Sequence, residues 1–111
     1  MGYDHVGKQS NTQLQRLIHA RSKDTASVVV TPHAKKQMAA RQIASPSLFK
    51  CLREGAILRQ PEPNDKFGTL ECRIERMCSG KEIGIVVALS DDDPTLVVVT
   101  AMFVGNRQAR R

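Results

Sequence analysis

The 111-residue chain is 41% hydrophobic and 25% charged, with a formal net charge of +6, which fits one folded domain and excludes both a disordered chain and two independent cores. With no Trp, one Tyr and three Phe, it lacks the aromatics for a platform that stacks several bases. Cys51, Cys72 and Cys78 form no CxxC, and His5, His19 and His33 form no i,i+4 pair; a disulfide framework and a zinc site are not expected, nor is any cofactor, and a reducing, cytoplasmic setting fits.

The charge is uneven. Residues 1–60 carry ten Lys or Arg against three acids, a balance of +7, whereas residues 61–111 carry seven against eight, or −1. Concentrated positive potential favours an anionic partner, nucleic acid ahead of acidic protein. The longest apolar runs, near residues 83–89 and 96–104, are too short to span a bilayer, so neither a membrane partner nor a leader segment is expected.

In chain order, residues 1–10 show no periodicity and are expected to be a disordered lead-in. Leu14, Leu17 and Ile18 recur at i, i+3 and i+4 and predict an amphipathic helix over residues 12–22. The valine triplet within residues 27–31 predicts a strand. Thr31-Pro32 then predicts a helix to about Gln42, because Thr caps free amides and Pro loses no needed donor. Ser45-Pro46 repeats the device for a helix through Leu48, Phe49 and Leu52, with Gly55 expected to close it in a left-handed cap. Strands follow at 56–60, 69–78, 81–90 and 95–104, with a Pro-rich turn through Asp65 after the first of them. The short connections Ser79-Gly80 and 91–94 predict that the last three strands form an antiparallel meander.

The expected architecture is thus one α+β domain over residues 11–104, with helices on one face of a four- to five-stranded antiparallel sheet and a flexible basic tail at 105–111. Strand 69–78 alternates Leu70, Cys72 and Ile74 with Glu71, Arg73 and Glu75, predicting one buried face and one wet or functional face. The two strands after it are more uniformly apolar, as central strands are, or as strands covered in a homodimer are.

Thr31-Pro32-His33-Ala34, Arg41-Gln42-Ile43 and Val97-Val98-Val99-Thr100, set in the order helix, strand, helix, helix and antiparallel strands, resemble the RelE and barnase-like ribonuclease toxins. Over residues 28–104 the chain is most similar to their relatives catalogued as the domain of unknown function 4258. The resemblance implies a RelE-like fold and a metal-independent endoribonuclease of the toxin–antitoxin kind, acting on RNA and partnered by an antitoxin protein. On the same fold it also allows a non-catalytic module that binds nucleic acid or protein.

Metal-free RNA cleavage needs a base for the 2′-hydroxyl, an acid for the leaving oxygen and positive charge on the phosphate. His33, in the first turn of its helix, is placed to be a neutral base, or is a surface histidine. Arg41 lies about 12 Å further along the helix axis; it reaches a neighbouring phosphate or is a solvated helix-end charge. Arg73 meets phosphate or joins the charge pairs of a wet strand face. Thr100 orients substrate or is a good strand former and nothing more. Lys35, Lys36, Arg53 and Arg59 are candidates for the RNA backbone, or are solvated helix charges. No His or Tyr stands late in the meander, where many RelE-like nucleases place an acid.

Overall fold

Among the described residues, two of the three α-helices begin where a side chain caps the first turn. In the computed structural model, which describes residues 6–104, α1 (Asn11–Arg21) opens on a reciprocal box: Ser10 Oγ accepts from the Gln13 amide while Gln13 Oε1 accepts from Ser10. α2 (Pro32–Arg41) is capped by Thr31, whose Oγ1 accepts from the Ala34 amide, and closes on Gln42 in the left-handed region. α3 (Ser45–Glu54) differs from the expectation. Its N-cap is Ala44, with no side-chain hydrogen bond, so Ser45 is already helical and the helix relies on Pro46 and on burial of Leu48, Cys51 and Leu52.

The strands are β1 (Val28–Val30), β2 (Ala56–Ile57), β3 (Glu62–Asn64), β4 (Thr69–Cys78), β5 (Lys81–Leu89) and β6 (Leu96–Phe103). They form one six-stranded sheet in the order β1-β6-β5-β4-β2, with β3 also pairing β4. The meander β4-β5-β6 is antiparallel as expected. Two expectations are corrected. The sheet is mixed, because β1 returns from the far end of the chain to lie parallel to β6, Val28 opposite Leu96 and Val30 opposite Val98. The sixth strand is β3, inside what read as a Pro-rich turn; Pro63 is tolerated there because β3 is an edge strand.

Residues 6–10 are not the unstructured lead-in expected: Val6 is buried and its amide donates to Asp91. The rest of that segment, 1–5, and the basic tail, 105–111, lie outside the described residues. Among the described residues, no helix is long and apolar enough to cross a membrane.

One face of the sheet packs against α1 and α3. Leu14 and Ile18 of α1 and Leu48, Cys51 and Leu52 of α3 meet Leu70, Cys72, Ile74, Ile85, Val87 and Leu89 in one cluster. Burial pushes the Cys51 and Cys72 thiols up to about 12, so neither supplies a thiolate nucleophile near neutral pH. Gly55 ends α3 in extended backbone (φ −80, ψ −179), not in the left-handed cap expected; what it provides is a close approach between α3 and β4. α2 lies beside β6 instead of on the helical layer, sending Ala34 and Met38 into the core.

Candidate functional site

The other face of β4, β5 and β6 is where the sequence-predicted strand residues come together. A strict two-residue period along β6 would carry Thr100 to the core with Leu96 and Val98. A bulge prevents this: Val87 pairs with Val98 but Val86 with Thr100, so Val99 is an extra residue. Ala101 thereby becomes the buried residue opposite Ile85, and Thr100 turns to the open face. Since Val86 also pairs with Arg73, Arg73, Val86 and Thr100 form one row, with Arg73 and Thr100 about 10 Å apart at two strand spacings.

α2 is fastened to β6 along the edge that β1 leaves free. Thr31 donates through both its amide and Oγ1 to the Val98 carbonyl. Ala101 is held at both main-chain groups: its amide donates to Gln37 Oε1 at 2.9 Å, and its carbonyl accepts from Arg41 Nη1 at 3.1 Å. Arg41, expected to bind phosphate, thus spends one guanidinium nitrogen on covering a strand edge. Gln37 was not legible as a partner, since an edge carbonyl and amide leave no sequence signal.

These bonds orient α2. Gln37 and Arg41 face the β6 edge, while Ala34 and Met38 face the core. At about 100° per residue, His33 lies about 40° from Gln37 on the side away from Ala34, with Lys36 beyond it. Both therefore flank the open face, whereas Lys35 points away from the sheet. His33 is exposed, and among the described residues no hydrogen bond or ion pair holds its ring.

Arg73 is not a free cation. Its Nε donates to Glu75 Oε2 at 2.9 Å, and Nη1 approaches the Met102 sulfur at 3.7 Å. Glu75, two residues along the same strand, is almost fully buried. Gly84 makes room for this arrangement, because a Cβ there would stand 2.7 Å from Val104 Cγ2 and 3.3 Å from Arg73 Cδ. Beside the pair opens a pocket of about 130 Å³ lined by Arg59, Gln60, Glu62, Glu71, Arg73, Val86 and Met102. Glu62 and Glu71 sit directly opposite each other across β3 and β4. Glu62 was missed because β3 was; once the register is known, its meeting with Glu71 follows.

Arg53 goes elsewhere. Its Nε donates to the Ser22 carbonyl and its guanidinium stacks 4.9 Å above the Phe49 ring, tying α3 to the end of α1 on the helical side. Two larger clefts, of about 320 and 420 Å³, lie along α1, one between Leu17, Arg21 and Asp91–Asp93 and the other between the start of the helix and Pro61 and Pro63; neither holds a predicted site residue. Among the described residues no three His, Cys, Asp or Glu side chains converge as a metal-ligand set.

No curated protein and no solved structure matches the chain. A family model described as Domain of unknown function (DUF4258) matches residues 30–103, a span that leaves out α1 but takes in the bulge, α2 and every predicted site residue. The chain belongs to that family.

Proposed function

We propose that the open face of the sheet binds single-stranded RNA and cleaves it without a metal ion, in the manner of the RelE and barnase-like toxins that the sequence resembles. The observation that carries the reading is the β6 bulge, which turns Thr100 into one row with Arg73 while α2 holds the exposed His33 on the same flank. His33 takes the proton of a 2′-hydroxyl; the O2′–P bond forms, the P–O5′ bond breaks, and the leaving oxygen is protonated by the imidazolium or by water. Thr100 orients the attacking group, Arg73 faces the developing charge, and Lys36 and Arg59 track the backbone. On this reading the protein is a cytoplasmic toxin held in check by an antitoxin protein.

One observation favours the alternative, a binding module without turnover: Arg41 and Arg73 are both engaged inside the fold, which weakens the phosphate clamp a nuclease needs. A single assay separates the two. Purified chain incubated with single-stranded RNA in EDTA is expected to yield fragments ending in 2′,3′-cyclic phosphate. Intact RNA at a large excess of protein, with binding that weakens as salt rises, would leave the binding module.

A further inference from the structure

We infer that the cleft between α1 and the β5–β6 connection binds a basic amino acid, arginine or lysine, either free or as a residue of another chain. The site is independent of the RNA reading, since α1 covers the sheet face opposite the row of Arg73 and Thr100. An unanswered donor points to it. Nη1 of Arg21, in the last turn of α1, is shut off from solvent yet has no hydrogen-bond partner. A buried guanidinium nitrogen without an acceptor is costly, so its position calls for one supplied from outside the fold. The cleft it lines, of about 320 Å³, lies at the lower end of the range of small-ligand sites.

The other wall is acidic and shaped by its own bonds. Asp91 Oδ1 accepts from the Val6 amide at 2.8 Å, Asp93 Oδ1 accepts from the Thr95 amide at 2.9 Å, and the Asp92 amide donates to Ser90 Oγ at 3.1 Å. These bonds fix the connection and leave the Asp92 side chain exposed at the cleft. Hydrogen bonds from Thr95, with a smaller contribution from the charge of Arg21, hold the Asp93 carboxyl below the usual carboxylate range. Positive and negative walls thus face one another.

Elimination names the occupant. One arginine against three aspartates leaves two negative charges in excess, which repel a phosphate or a simple carboxylate. A metal ion would meet the Arg21 charge, and no three carboxylates converge on one point among the described residues. A polyamine would satisfy the aspartates but leave Nη1 without an acceptor. The remaining fit is a molecule with an oxygen acceptor at one end, a cation at the other and an aliphatic stem between them. Val6, Leu17 and Pro94 supply the apolar lining, and arginine and lysine lay their stems along such surface while their heads stay in water. The ligand's carboxylate, or its main-chain carbonyl, accepts from Arg21 Nη1, and its guanidinium or ammonium meets Asp92 and Asp93.

The test is titration of the ¹⁵N-labelled full chain, followed at the amides of Asp91, Asp92 and Asp93 and at the Arg21 side chain. The probes are L-arginine, agmatine, which lacks the carboxylate, L-norvaline, which lacks the guanidinium, and N-acetyl-arginine amide, which stands for a residue within a chain. Arginine is expected to give saturable shifts and to bind about tenfold or more tightly than agmatine or norvaline, the effect of one charge-assisted contact. Arg21→Gln is expected to bring arginine down to the affinity of agmatine, and Asp92→Asn to weaken arginine but not norvaline. Capped arginine binding as well as the free amino acid makes the ligand a residue of another chain; capped arginine failing to bind makes it the free amino acid. Agmatine binding as tightly as arginine, or no saturable shift with any probe at high millimolar concentration, overturns the site and leaves water as the partner of Arg21.

Discussion

A Gly55→Ala chain is expected to be about 3 kcal/mol less stable than the parent, at the upper end of what overpacking costs. The backbone angles of Gly55 are open to any residue, so the cost is not conformational strain. It is collision. A Cβ would stand 2.5 Å from the Cys51 carbonyl oxygen and 2.8 Å from that of Glu75, with Ile74 Cγ1 at 3.0 Å. Neither oxygen can swing aside: Cys51 accepts the Gly55 amide in the last turn of α3, and Glu75 belongs to β4 at its pairing with β2. Relief requires parting α3 from the sheet, which opens the core around Leu52 and Ile74. The measurement is chemical denaturation. Gly7→Ala serves as control, since a Cβ there meets nothing within 4 Å, and it should change stability by less than about 0.5 kcal/mol. If the two variants were equally stable, the close crossing of α3 over β4 would be wrong.

The second large effect is kinetic. His33→Ala is expected to slow RNA cleavage by about 10²- to 10⁴-fold, the range for removal of a general base, and to leave the denaturation midpoint within about 0.5 kcal/mol of the parent. That pairing of outcomes follows from its setting. The helix that carries His33 is fixed by Thr31, Gln37 and Arg41, so the imidazole is presented without supporting anything. Arg73→Ala would be a poorer probe, since it strips a partner from the buried Glu75 and confuses lost stability with lost function. A His33→Ala chain that cuts at the parental rate would move the base elsewhere, with Glu71 the next carboxylate to consider.

The sequence shows what local physics governs and hides what distant pairing governs. Thr31-Pro32 marks the start of α2 because cap and proline act within one turn. The β4 alternation announces its two faces because Leu70, Cys72 and Ile74 must all be buried together. By contrast, β1 is three valines whose partner lies 68 residues away, opposite Leu96, and nothing in a valine run records direction, so the parallel pair was not legible. The bulge is equally silent: residues 95–104 read as one apolar strand interrupted by Thr100, and only the pairing with β5 shows that Thr100 has changed sides. Among the candidate residues, types were legible but commitments were not. A basic residue looks the same in sequence whether it faces solvent like Arg59 or caps a carbonyl like Arg53.

The claim on which the account depends is that RNA lies across the face where Arg73, Val86 and Thr100 align. Titration of ¹⁵N-labelled chain with a 2′-O-methyl RNA decamer, followed by amide chemical shifts, tests it directly. Saturable shifts are predicted at Arg73, Val86, Thr100 and the first turn of α2, fading as salt rises. Shifts confined to α1 and α3 on the opposite side, or none at millimolar RNA, would contradict it.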